Sequence, residues 1–586
     1  MTRRVLRSRT FQIAAVLVAV LIALLAWLAY SALQVKDDLE SARSDASRAR
    51  TLALDGDQNG ARQAAQAAAD SASRAGDRSH GMVWSAAASI PWVGTPLKSV
   101  QQMSDAVDDL ATQVLVPSAD LASVLNPSKI RSGDQVNTAP LRAAQPELAA
   151  VAKKSTAIAE QVSTIKPTWL GVVADAQRQL QEQVDEAAAT LNGTNVAAQL
   201  VPSMLGADGP RNYFLAFQTP SESRGTGGLV GGFAVLNARN GRVTVPTLGA
   251  NSTFDDPPRP QVDLGEDYDT IYSSYRPYTD FRNGNLSPNF PDAAQIWLAN
   301  WKRQTGQQLD GAMALDPIAL SYVLEVTGPV TLPNGEKITA DNVVPITLST
   351  SYERFAGDNE ARKLYLQAIA KAVVQQLADA KGDSGDVLEA LGRGVHERRI
   401  MIYSTHPEEQ QVLESTELGH QISDTESPYL QVALGNASGN KIDYYLKRDI
   451  TYRAGDCSGD TRESTVTVKL TNTLDDMSLP DYVIGSMGTR LTVPKGTSLT
   501  NVEMLTTKGA VVKEISVDGQ TPMYVEQPLH GRPYLSTMVR IPPGETATVT
   551  LKLDEPTSAT GAAQVPIQPL TDDPTVTVDV PTCDQH

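Results

Sequence analysis

Arg211-Asn212-Tyr213-Phe214-Leu215-Ala216-Phe217, followed by Glu222-Ser223-Arg224-Gly225-Thr226-Gly227-Gly228-Leu229-Val230-Gly231-Gly232-Phe233, is the stretch whose reading decides the fold of this chain. The first segment is apolar from Tyr213 onward, as a buried strand requires. The second places five glycines within residues 225–232, next to an arginine. Backbone N–H groups in such a loop can approach an anion, and Arg224 can add a bidentate contact. The spacing matches neither the dinucleotide G-x-G-x-x-G pattern nor a P-loop. Glycines also permit tight turns and close strand packing, and both readings stand at this point. Residues 233–245 predict a hairpin turning at Asn240-Gly241. Helical spacing at 293–298, 318–324 and 362–380 then alternates with short strands, which predicts a mixed α/β domain over residues 206–446.

Beyond it the apolar period becomes two. Val466, Val468 and Leu470, then Ala547, Val549, Leu551 and Leu553, then Val576, Val578 and Val580 alternate with polar residues. This predicts a C-terminal antiparallel β-sandwich over 447–586. Cys457 and Cys583 are the two cysteines of the chain, and both fall in this region. A disulfide joining its first and last segments is expected, with two free thiols as the alternative.

Toward the N-terminus, residues 34–205 are rich in Ala, Gln, Ser and Asp and poor in aromatics, which predicts a helical stalk or bundle. Breaks are expected at 89–96 and 126–140, and a helix end near Leu191-Asn192-Gly193. Residues 11–33 are apolar and uncharged over 13–30, with Arg3, Arg4, Arg7 and Arg9 before them and Lys36, Asp37, Asp38 and Glu40 after. That pattern predicts a transmembrane helix at 11–33, a cytoplasmic tail at 1–10 and an extracytoplasmic remainder: a single-pass protein of the plasma membrane. A cleaved signal peptide is the competing reading, but its apolar region usually runs only about 7–15 residues. The net charge of −17 argues against nucleic acid as a partner.

A second loop carries Tyr275, Arg276, Tyr278, Asp280 and Arg282, then Asn289-Phe290-Pro291-Asp292. Interleaved rings and guanidinium forks suit sugar or phosphate recognition, and ordered surface loops also use aromatic anchors. The acidic run over 255–269 lacks the ligand spacing of an EF-hand. No paired histidines for zinc and no G-x-S-x-G occur, so a hydrolase triad is unsupported.

Taken together, the apolar anchor, Ile90-Pro91-Trp92-Val93-Gly94, Arg211-Asn212-Tyr213-Phe214-Leu215, Arg224-Gly225-Thr226-Gly227-Gly228, Asn289-Phe290-Pro291-Asp292, Leu309-Asp310-Gly311 and Asn436 with Lys441 resemble the bacterial domain-of-unknown-function family 4012, membrane-anchored envelope proteins. The order of strand, arginine-glycine loop, hairpin and helix is also similar to the core of LytR-CpsA-Psr proteins. Those are extracytoplasmic phosphotransferases that move glycopolymers from a polyprenyl diphosphate carrier onto peptidoglycan, holding the diphosphate and magnesium with arginines and aspartates. The chain departs from them where Gly-Thr-Gly-Gly near Gly225 replaces a Ser-Asp and Pro246-Thr247-Leu248 replaces a Pro-Arg-Asp.

The expectation is an α+β multidomain envelope protein: a transmembrane helix, a helical stalk, a central α/β domain and a β-sandwich. Its first functional reading is binding of a cell-wall glycopolymer, a lipid-linked sugar or a protein partner. The second is phosphotransfer or pyrophosphate hydrolysis. There, Arg224, Gly225, Gly227, Gly228, Arg276 and Arg282 would hold the diphosphate, and Asp280 or Asp292 would serve magnesium.

Overall fold

The computed structural model describes residues 2–583 apart from 55, 122–130, 133–134, 380–383 and 488–492, and the side chains of 2–23, 25, 54, 131–132, 378–379 and 384–385 also lie outside the description. The chain forms two compact units, Met1–Asp208 and Gly209–His586.

The first unit is helical, with α1 (Thr2–Leu54), α2 (Gln58–Ser79), α3 (Thr95–Leu110), α4 (Ala139–Ser163) and α5 (Gly171–Met204). Alanines such as Ala42, Ala49, Ala61, Ala65, Ala69 and Ala72 are buried here, so helices approach closely while each residue removes little apolar area from water. The expected turn at 89–96 lies between a short helix, Met82–Ala88, and α3. A Cβ at Gly94 would come within 2.5 Å of the Ala87 carbonyl oxygen, so the bend excludes any side chain there. The helix end expected near Gly193 is corrected, because α5 continues to Met204. A Cβ at Gly193 would meet nothing within 4 Å, so that glycine costs only about 1 kcal/mol of helix propensity, which a long helix absorbs. Of the 126–140 break, residues 126–130 and 133–134 fall outside the described residues, and α4 begins at Ala139. Among the described residues no helix is long and apolar enough to cross a membrane. Residues 11–33 belong to α1, and the side chains of 11–23 and 25 lie outside the described residues.

In the second unit β1 (Arg211–Arg224), β2 (Gly227–Arg239) and β3 (Arg242–Ala250) form an antiparallel meander. Asn240 and Gly241 both take positive φ, 50° and 79°, as the expected two-residue hairpin turn requires. After α6 (Glu266–Tyr272) and α7 (Phe290–Thr305), β4 (Gly311–Leu315) pairs parallel to β1. β5 (Met401–Ser404) closes that side antiparallel to β4. β1 is therefore interior to the sheet, which explains why residues 213–216 are buried on both faces. Trp297 and Trp301 of α7 pack on Phe214, Phe233 and Phe254. A separate core joins α8 (Pro317–Thr327) to α9 (Asn359–Asp379) through Leu320, Leu324, Ile369 and Val373, and Leu315 of β4 packs against it.

The remaining strands are β6 (Leu430–Asn436), β7 (Leu446–Ala454), β8 (Thr461–Asn472), β9 (Ser498–Thr506), β10 (Val511–Val517), β11 (Tyr524–Leu529), β12 (Arg532–Ile541), β13 (Thr546–Pro556) and β14 (Thr575–Asp579). They build two sheets, ordered β6-β9-β12-β11 and β10-β13-β8-β7-β14, over one shared core. Two features differ from the expected antiparallel sandwich. Its first strand comes from Leu430–Asn436, ahead of residue 447, and β14 runs parallel to β7. β14 is an edge strand, so Val578 is 45% exposed although its alternation resembles that of a half-buried strand. The parallel pairing brings the chain just past Ala454 and just past Asp579 to the same end, where Cys457 and Cys583 form the expected disulfide.

Glu503 on β9 is buried and accepts hydrogen bonds from Tyr272 Oη of α6 and Asn501 Nδ2, each at 3.0 Å. Burial lifts its pKa from 4.5 to about 7 in spite of those donors. Because the folded value lies above the unfolded one, the folded chain keeps a proton that the unfolded chain has lost over this window, and stability falls as pH rises through it. The Tm is expected to drop between pH 5 and 8, and Glu503→Gln should flatten that slope; a variant with an unchanged slope would contradict the assignment.

Candidate functional site

The tight turn joining β1 to β2 lies directly against the second loop picked out by the sequence. A Cβ on Gly225 would sit 2.1 Å from the Leu286 carbonyl oxygen, and one on Gly228 would sit 2.2 Å from the Thr219 carbonyl carbon. Gly227 takes φ 137°, a conformation L side chains rarely adopt. Asn285 seals the contact, donating from Nδ2 to Thr226 Oγ1 and to the Gly228 carbonyl, both at 2.9 Å. The Gly228 N–H donates to Gln218 Oε1 at 3.2 Å. These three glycines thus have a packing role in the fold, and their neighbours are backbone and amide groups of the same unit.

Arg224 is buried within a charged network. Its Nη2 pairs with Glu222 at 3.0 Å, and its Nη1 donates to the Ser223 carbonyl at 2.9 Å and the Asn436 carbonyl at 3.3 Å. Lys441 Nζ binds the other oxygen of Glu222, and both side chains are buried. Burial pushes the Glu222 carboxyl up, but Lys441 and Arg224 outweigh it and hold it below its ordinary value. Tyr352 and Tyr482 stack on each other, and the Arg362 guanidinium lies against both rings, 4.5 and 4.4 Å from their centroids. Asp443 accepts from the Ser223 N–H and Oγ and from Asn436 Nδ2 at 2.7–3.0 Å.

The other expected residues are placed differently. Arg276 is exposed, at φ 59° after a single 3-10 turn, and Arg282 is exposed and forks onto Asp280 at 2.9 and 2.7 Å. Asp292 is buried in the first turn of α7, where Ser287 Oγ and Asn289 Nδ2 donate to it at 2.7 and 2.8 Å and His530 Nε2 lies 3.2 Å away. The structure therefore joins the two loops through backbone and Asn285, with Arg224 inside the unit and Arg276 and Arg282 at its surface. Among the described residues no group of three or more His, Cys, Asp and Glu side chains could hold a metal ion.

A cleft opens elsewhere on the same sheet. It holds about 620 Å³ of empty space, its open mouth included, between the ends of β1, β2 and β4 and the start of α8 on one side and α9 on the other. Phe217, Leu315, Leu320, Leu366, Ile369 and Ala370 make its wall apolar. Gly231 and Gly232 also line it, and a Cβ on Gly231 would fall 3.0 Å from Thr219 Oγ1, so the absent side chains keep this floor low. Lys363 is the cation of the lining; its Nζ bonds Ser252 Oγ at 2.7 Å and lies 3.4 Å from the exposed Glu360. Asp316, also in the lining, is already committed to the Ala319 N–H and to Arg399, each at 2.8 Å. Sequence reasoning missed Lys363 and its neighbours, although the helical spacing over 362–380 is readable. The available signal was the lysine beside the apolar positions Leu366, Ile369 and Ala370 on one helix face, a pattern shared with many core helices.

Residues 208–352 match the family described as protein of unknown function (DUF4012), so this part of the chain, from β1 through α8 to Tyr352, is a domain of that family. No curated protein matches the chain.

Proposed function

We propose that the Gly209–His586 unit is a non-catalytic binding module for a lipid-linked anion of the cell envelope, such as a polyprenyl phosphate or diphosphate carrying a glycopolymer unit, and that residues 11–33 anchor it in the plasma membrane. The observation that carries this reading is the apolar cleft with one amine in its wall. Such a lining favours a hydrocarbon chain by burial and its anionic head by charge. The resemblance to LytR-CpsA-Psr proteins supports a polyprenyl ligand, and the arginine asymmetry about residues 11–33 supports an extracytoplasmic module. Binding is preferred to phosphotransfer because Arg224 is spent on Glu222 and on two carbonyl groups inside the unit, away from any diphosphate.

The test is equilibrium binding of farnesyl and longer polyprenyl phosphates to the full chain. Ala370→Phe places a ring in the cleft and should weaken binding at least tenfold, about 1.4 kcal/mol, with the Tm little changed. Lys363→Gln should weaken the phosphate but not the corresponding alcohol. Equal affinity of wild type and Ala370→Phe would remove the cleft from the account.

A further inference from the structure

The helical unit exposes an aromatic pair that its own fold does not cover. Trp92 and Trp169 stack with ring centroids 5.6 Å apart, and Trp169 Nε1 donates to the Trp92 carbonyl at 2.8 Å. They nevertheless remain 71% and 52% exposed, with Ile90, Val93 and Val172 exposed around them. Trp92 takes φ 63°, a strained choice for a bulky residue, which turns the bend so that its ring meets Trp169. Neither contributing segment carries a charge: residues 81–97 and 167–174 contain no Asp, Glu, Lys or Arg. Lys98 and Lys166 border them, and the Lys166 carbonyl accepts from Ser99 Oγ at 3.5 Å, so the two lysines flank one end of the bundle.

Hydrogen bonds fix the level of that end along α1. Arg78 near the end of α2 donates to the Gln34 carbonyl, and Trp84 is buried against Val35 and Leu28. Gln101 of α3 donates to the Ser79 carbonyl, and Ser73 of α2 donates to Asp108, so α3 runs antiparallel to α2. From Gln101 back to Thr95 the helix drops about 9 Å toward the N-terminal half of α1. The Trp92–Trp169 tip is thus carried back beyond the level of Gln34, alongside the outer part of the apolar stretch 11–33.

We infer that this tip inserts into the interfacial layer of a lipid bilayer, the same bilayer that residues 11–33 enter, and braces the helical unit at the membrane surface. The inference rests on the anchoring part of the proposed function. Its independent support is the uncharged double loop, the tryptophan pair and the two bordering lysines, the composition that favours the boundary between headgroups and acyl chains. The test reconstitutes the full chain in phosphatidylcholine/phosphatidylglycerol vesicles containing lipids brominated near the carbonyl end of the acyl chain. The readout is the tryptophan fluorescence of wild type minus that of the Trp92→Phe/Trp169→Phe variant. About half or more of this difference signal should be quenched by bromine, and the signal should lose its access to aqueous iodide. Vesicle flotation reads the anchor separately. A chain that floats while the difference signal stays unquenched overturns the inference and leaves the anchor standing; a chain that does not float overturns both. Shielding that grows with protein concentration in place of bromine quenching would assign the tip to a second copy of the chain and also overturn it.

Discussion

Replacing Lys441 by Met is expected to destabilise the Gly209–His586 unit by about 3–5 kcal/mol, the usual cost of stranding one member of a buried ion pair. Lys441 and Glu222 are both buried, and Arg224 alone would then face the carboxylate from one side. Against a total domain stability of roughly 5–15 kcal/mol, that loss is large enough to read directly in denaturant unfolding of the full chain. The double variant Lys441→Met/Glu222→Gln should recover a substantial part, because removing both charges avoids the stranded carboxylate. A change within about 0.5 kcal/mol for the single variant, the range of ordinary surface substitutions, would show that the network is not a structural support.

Removing the disulfide should have a comparable effect. Cys457 and Cys583 close a loop with a sequence separation of 126, for which the chain-entropy treatment gives about 4–5 kcal/mol of stabilisation through the unfolded state. Cys457→Ser/Cys583→Ser should therefore lower the unfolding midpoint of the sandwich and leave the transition of the helical unit in place. Arg462 also holds the last segment, donating to the Pro581 carbonyl at 2.6 Å, so the reduced chain should keep that contact in the native state. The difference should then appear in stability and not in the native circular-dichroism spectrum. Equal midpoints for oxidised and reduced protein would contradict the loop-closure account.

What the sequence made legible follows the range of the interactions. Asn240-Gly241 is a local signal, and the hairpin turns there because both residues accept positive φ. The strand at Arg211-Asn212-Tyr213-Phe214 and the alternation of β8 and β13 are local as well. The role of Gly225 and Gly228 was not readable, because anion cradles and backbone packing both demand a missing Cβ; only the nearness of Leu286 and Thr219 decides between them. Arg224 was misleading for a related reason. An arginine beside glycines looks available until Glu222 and Asn436 are seen to take it up, and Asn436 is distant in sequence. The cleft was invisible because its walls come from β1, β2, β4, α8 and α9, and none of these carries a motif alone.

The most direct measurement of the central claim is photolabelling of the full chain with a polyprenyl phosphate bearing a diazirine on its isoprenoid tail, followed by peptide mapping. The account predicts labelling concentrated on the peptides that carry Phe217, Leu366 and Ala370, competed by unlabelled polyprenyl phosphate and lost in Ala370→Phe. Labelling spread over the surface, or concentrated at the loop of Arg276 and Arg282 with the cleft peptides unmarked, would contradict it.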